Sequence, residues 1–147
     1  MFKQIKQLFS SIDQQDYDIE QHDLKTAVAA LLIEVMRADN DLQADEQHTL
    51  SLTLKKYFDL TDEAVDELTE QASSSLDDAI DYFQFSKQIN NQCSAQQRIE
   101  IVELLWRLAY SDGELDPQEE YVIRRVANLL YVTHEDFIAA KLAATKL

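Results

Sequence analysis

The sequence predicts an all-α protein: a single-domain bundle of about eight helices with an internal pseudo-two-fold repeat. Three observations carry that prediction. The chain has one glycine and one proline in 147 residues, so it lacks the residues with which sheets and long loops make their turns. Its apolar residues, 46% of the chain, recur at helical spacing among Ala, Leu, Glu, Gln and Lys, which are good helix formers. Two stretches also match one another at a fixed offset. At this length one domain, 1–147, with a sizeable core is the simplest organisation.

Residues 2–12 place Phe2, Ile5, Leu8, Phe9 and Ile12 on one helical face, which predicts a short N-terminal helix docked on the body of the domain. A membrane-surface anchor is the less favoured reading, because the basic stripe is so short. The segment 21–39 carries Leu24, Val28, Leu31, Leu32 and Val35 at the spacing of an amphipathic helix. Residues 44–58 form the next, with Leu50, Leu54 and Tyr57 on one face. Thr61 reads as an N-cap, with Asp62 and Glu63 in the first turn, where the helix dipole favours negative charge. Ser75 with Asp78 reads as a capping box opening a helix through Phe83 and Phe85 to about Ile89. Ser94 with Gln97 is another, and Thr133 with Asp136 opens the last helix.

The repeat spans halves of about 21–70 and 94–145. Residues 31–50, "LLIEVMRADNDLQADEQHTL", align with residues 104–123, "LLWRLAYSDGELDPQEEYVI", at an offset of 73. Leu31, Leu32, Asp39, Leu42 and Glu46 meet Leu104, Leu105, Asp112, Leu115 and Glu119 identically. After a one-residue slip, "FDLTDE" (58–63) parallels "LYVTHE" (130–135). Each half reads as helix, tight acidic turn, helix, short link, capped helix.

That pattern explains why the only glycine and the only proline stand in one acidic stretch. A chain leaving a helix often passes through the left-handed region, which Gly enters freely and Asn tolerates next best. Gly113 and Asn40 occupy the same place in the two halves. Leu42 and Leu115 then pin each turn to the core. Asp116 reads as the N-cap, Pro117 as the first helical residue, and Glu119 as the return arm of a capping box. Gln43, Ala44 and Glu46 take those places in the first half.

The two acidic stretches, "ADNDLQADE" (38–46) and "SDGELDPQE" (111–119), resemble the A-D-G-x-hydrophobic-x-x-x-E motif of the TerB-like family, named for the tellurite-resistance protein TerB. This chain departs from the motif at Asn40, in place of Gly, and at Ser111, in place of Ala. The resemblance covers roughly residues 20–145. It implies an all-α bundle, a cytoplasmic setting, and an acidic cation-binding surface linked to stress or tellurite-resistance systems. A related domain stands at the front of a J-domain co-chaperone. The resemblance implies no enzymatic activity.

The formal net charge of −15 opposes nucleic-acid binding, which needs a basic footprint, and opposes docking on an anionic membrane. It favours cations or a basic protein partner. No stretch is long enough to span a membrane; the longest apolar run is "AVAALLI" (27–33). One cysteine, Cys93, forms no internal disulfide, which suits a reducing, cytoplasmic compartment.

Hard cations such as Ca²⁺ and Mg²⁺ want several converging oxygens. Asp39, Asp41, Asp45 and Glu46, then Asp112, Glu114, Asp116 and Glu119, supply four carboxylates in eight residues twice over. Neither copy is an EF-hand loop: its sixth and twelfth positions would hold Ala44 and Leu50, or Pro117 and Ile123. Helix capping and a solvated surface account for most of these residues one by one. They do not account for Asp39 and Asp112, whose charge opposes the dipole at a helix C-terminus. The candidate metal ligands are therefore Asp39, Asp41, Glu46, Asp112, Glu114 and Glu119.

Other residues carry less. His22, His48 and His134 lack metal-pair spacing and read as surface or boundary residues. Cys93 has no second thiol for redox work. Trp106 sits between Leu105 and Leu108 and reads as core. The stretch 59–81 holds nine acidic residues and no Lys or Arg, which makes a solvated face or a dock for a basic partner. The functional expectation is a non-enzymatic binding module. A protein adaptor using the acidic face, with purely structural turns, is the alternative.

Overall fold

The longest apolar run, 27–33, lies in a helix buried on every side. In the computed structural model, which describes residues 19–36, 44–58, 60–78, 83–110 and 117–145, residues 26–33 are consecutively buried. At 100° per residue, eight in a row leave no face for solvent. The expected stripe of Val28, Leu31, Leu32 and Val35 is buried, but so are Ala27, Ala29, Ala30 and Ile33 between its members. The amphipathic reading is corrected accordingly: small alanines let neighbouring helices close over the remaining faces.

Seven helices occupy the described residues: α1 (Ile19–Met36), α2 (Ala44–Phe58), α3 (Asp62–Asp78), α4 (Phe83–Gln92), α5 (Ala95–Ala109), α6 (Pro117–Leu129) and α7 (His134–Thr145). The helix expected at 2–12 lies outside the described residues. Helix α1 packs against α3, α4, α5 and α6, and more lightly against α2. Helix α5 takes the same role in the second half, packing against α7, α1, α6 and α2. From Glu100 to Ala109 it is buried at every position but Glu103. The two helices join one hydrophobic core that runs from Ala27 to Ala144.

The repeat is visible in the helix boundaries. Helix α1 ends at Met36 and α5 at Ala109; α2 begins at Ala44 and α6 at Pro117, each pair 73 apart. Helices α3 and α7 begin at Asp62 and His134, 72 apart, as the one-residue slip requires. The buried residues of α3, Val65, Leu68 and Ala72, map at that offset onto Phe137, Ala140 and Ala144, the buried residues of α7. Leu50 and Leu54 of α2 map onto Ile123 and Ala127 of α6, all four buried.

The caps repeat as well. The Ala64 amide donates to Thr61 Oγ1 at 3.1 Å, and the Asp136 amide donates to Thr133 Oγ1 at the same distance. Ser94 and Gln97 form a full capping box: the Gln97 amide donates to Ser94 Oγ at 3.2 Å, and the Ser94 amide to Gln97 Oε1 at 2.7 Å. The box expected at Ser75 and Asp78 does not form, because α3 runs on through both residues and α4 begins only at Phe83. Packing of Val65, Leu68 and Ala72 into the core sustains α3 to that point, over the weak helix preference of three serines in a row. The left-handed turns expected at Asn40 and Gly113, the pinning role of Leu42 and Leu115 and the cap at Asp116 lie outside the described residues, while Pro117 is the first residue of α6 as expected.

A left-handed residue does close α6, and it is a tyrosine. Tyr131 has φ of 59°. The Val132 amide donates to the Ala127 carbonyl at 3.0 Å and the Tyr131 amide to the Asn128 carbonyl at 3.2 Å, the paired bonds of a Schellman motif. Buried Val132 and Ala127 supply its apolar contact. Asn90 Nδ2 donates to the Leu129 carbonyl at 2.9 Å and satisfies another end group.

Three outcomes follow from this packing. Replacing Tyr131 with Gly removes the left-handed penalty of an exposed residue and should raise stability by about 0.5–1 kcal/mol in urea denaturation. Arg107 and Glu103 form an ion pair on α5 at 3.3 Å, with side chains only 6% and 13% exposed. Arg107→Ala, which leaves the part-buried Glu103 without this partner, should cost about 2–3 kcal/mol, whereas the apolar double variant Glu103→Leu/Arg107→Met should cost far less. Burial pushes the Cys93 thiol up from 9.0 to about 11, against a smaller opposing effect of Arg98. The folded state therefore holds this proton more tightly than the unfolded chain does. Native alkylation should be slow at pH 7.5, and the thiol's contribution to stability, intact below pH 9.0, should be lost as pH rises towards about 11.

Candidate functional site

Of the six expected ligands, Asp39, Asp41, Asp112 and Glu114 lie outside the described residues. Glu46 is the third residue of α2, with its side chain outside the described set. Glu119 is the third residue of α6 and only 9% exposed. The first turn of a helix presents free amide groups and the positive end of the dipole, which favours a carboxylate at that depth. Among the described residues no group of three or more His, Cys, Asp or Glu side chains is placed to hold a metal ion.

The second half adds polar chemistry that the sequence reading missed. Arg107 Nε donates to Glu103 Oε2 inside the bundle, and Glu100 is buried one turn earlier on the same helix. In α1, 73 residues earlier, the counterparts of Glu103, Arg107 and Glu100 are Ala30, Glu34 and Ala27. The readable signal was a glutamate and an arginine four apart in the otherwise apolar "IVELLWRLA". Their geometry serves pairing: the Arg107 charge answers Glu103 in a site that water reaches only at the Glu103 edge.

Trp106 is core, as expected, and fully buried. Its ring stacks on Tyr110 at 6.0 Å and tilts against Phe137 at 5.2 Å. Lys141 Nζ lies 5.2 Å from its ring centre, and the Arg124 guanidinium lies 5.1 Å from that of Phe137. Glu120 Oε1 faces both cations, at 3.5 Å from Arg124 and 3.7 Å from Lys141. The cluster ties α5, α6 and α7 together through ring faces and one shared carboxylate.

On the outside, Asp62, Glu63, Asp66, Glu67 and Glu70 are exposed along α3, opposite the buried Val65, Leu68 and Ala72. Lys55 of α2 pairs with Asp62 at one end of this row. The acidic stretch is thus a solvated face over its described part. His48 and His134 are exposed, as expected, and the side chain of His22 is outside the described set. A pocket of about 200 Å³ is lined by Thr26, Ala27, Ser75, Gln84, Phe85 and Gln88. It offers hydroxyls, amides and one ring, with no ionisable group, and is smaller than a usual small-molecule site. No described helix is long and apolar enough to cross a membrane.

No curated protein and no solved structure matches the chain. A family model does, over residues 25–142, from the middle of α1 to the last turn of α7. With its two central helices, its acidic connections at one offset and this match across all seven helices, the chain belongs to the family of the tellurite resistance protein TerB.

Proposed function

We propose that this chain is a non-enzymatic binding module that holds a divalent cation, Ca²⁺ or Mg²⁺, with Asp39, Asp41, Glu46, Asp112, Glu114 and Glu119. One observation carries the reading. The helices on either side of each acidic connection stop and start in register at an offset of 73, so matching carboxylates stand equally far from helix ends in both halves. Glu119 adds a carboxylate largely withdrawn from water at one of those helix starts. Oxygen-rich sets of this kind suit hard cations, and a net charge of −15 raises the local cation concentration around them. We place the module in the cytoplasm, in a stress or tellurite-resistance setting, on family membership and the single buried cysteine.

The exposed acidic row of α3 favours a second reading, an adaptor that docks a basic protein partner. Its carboxylates face water while the opposite side of the helix anchors it in the core.

An amide-resolved NMR titration separates the two. With Ca²⁺ or Mg²⁺, saturable shifts should appear at residues 39–46 and 112–119 and vanish in the Asp39→Asn/Asp112→Asn variant. Shifts spread over all acidic surfaces and erased by 150 mM NaCl would sink the cation reading. A lysine-rich peptide that moves 62–70 instead would favour the adaptor.

A further inference from the structure

The outward face of α6 differs in chemistry from the acidic outer face of α3. Its exposed residues are Pro117, Gln118, Tyr121, Arg124, Arg125 and Asn128, and Tyr131 follows on the cap. None is a carboxylate: Glu119 is buried and Glu120 is half-buried against Arg124 and Lys141. The described exposed residues of α2 and α4 lack carboxylates too, but none of them is a tyrosine or an arginine. Tyr121 and Tyr131 are 61% and 76% exposed. Tyrosine and arginine are the residues that most often anchor protein contacts.

The fold does not require them there. At the same places in α2, 73 residues earlier, stand His48, Ser51, Leu52 and Lys55, and that helix packs by the same buried positions. Tyr131 is held at φ of 59°, where glycine would cost less. An exposed aromatic kept in a strained position is a mark of use rather than of packing. Arg124 is also held in place, between the Phe137 ring and Glu120, so less freedom is lost when it binds.

We infer that this α6 face docks on the acidic α3 face of a second copy of the chain, head to tail. The proposal rests on the adaptor reading of the α3 face and names its basic partner. Charge complementarity selects the occupant: five exposed carboxylates stand on α3 against two arginines and no exposed carboxylate on α6. The lengths agree too. At 1.5 Å per residue, the row from Asp62 to Glu70 spans roughly 12 Å and the helical row from Tyr121 to Asn128 roughly 11 Å. Two different faces make a heterologous contact, which adds copies in sequence instead of closing a symmetric dimer. Single-helix rows bury less than about 1,200 Å², so the contact is transient and concentration-dependent.

Sedimentation of the full chain between about 10 µM and 1 mM tests this. The wild type should sediment faster as concentration rises. Arg124→Glu/Arg125→Glu and Asp66→Lys/Glu67→Lys should each weaken association at least about tenfold. The second variant lowers the net charge from −15 to −11 by four units, which would promote any non-specific association, so loss of association there marks the specific contact. Mixed one to one, the two variants should associate again, because the intact α3 face of one meets the intact α6 face of the other and the two reversed faces are also opposite in charge. Tyr131→Gly should weaken association while leaving the fold at least as stable, which guards against variants that misfold. A wild type monomeric to 1 mM, or a mixture that stays monomeric, overturns the proposal. If such a monomer still shifts at 62–70 with a lysine-rich peptide, the acidic face docks some other basic partner and only the self-pairing fails.

Discussion

Everything in this bundle depends on two helices that have no outside. Helix α1 is buried over residues 26–33 without a break, and α5 over nearly all of 100–109. A helix buried all round cannot fold alone in water, since nothing but neighbours can cover it. The remaining helices supply that cover. Helices α3 and α4 lie over α1, α7 lies over α5, and α6 bridges to both. Because this covering is done in the same order twice, the caps and the spacing of buried residues recur. Thr61 and Thr133 start α3 and α7 with the same hydroxyl-to-amide bond because both helices must be set at the same point beside their central partner.

The local rules of helix ends were readable in the sequence, and so was the start of α2 at residue 44 and of α6 at Pro117. A hydroxyl or amide three residues ahead of an amide is a short-range event, and its cost or gain is complete within one turn. What could not be read locally is where packing overrides it. Ser75 and Asp78 had the spacing of a capping box and became the last turn of a helix held by Val65, Leu68 and Ala72. The apolar run 27–33 announced burial, yet the stripe within it suggested one buried side when all sides were covered. The Glu103–Arg107 pair was written as an ordinary surface spacing; only the surrounding helices make it an interior one. Of the candidate cation site, the sequence supplied the carboxylates and their register, and the structure adds the depth of Glu119. Convergence of ligands is a long-range property, and no spacing rule along the chain encodes it.

The two halves have parted ways on their surfaces while keeping their interior order. On α3 the outer residues are acidic, on the outer side of α6 they are tyrosine and arginine, and the matching side of α2 has neither character. A repeated scaffold allows this, because the residues that hold a helix in place lie on its other side. Electrostatic identity can then be assigned face by face while the core pattern stays fixed.

The ion pair inside α5 bears on how a duplicated chain avoids confusing its own parts. Helices α1 and α5 have matching lengths of apolar surface and matching followers, so a nascent or unfolding chain could seat one in the other's cradle, or lend it to a neighbouring molecule. An α5 placed where α1 belongs would bring the Arg107 and Glu103 charges against walls shaped for Ala30 and its apolar neighbours. An α1 placed where α5 belongs would leave Ala30 in the seat of Glu103 and Glu34 in that of Arg107, without the cation. One buried charge pair thus labels the second half as distinct from the first, and the label is checked only once the helix is fully enclosed.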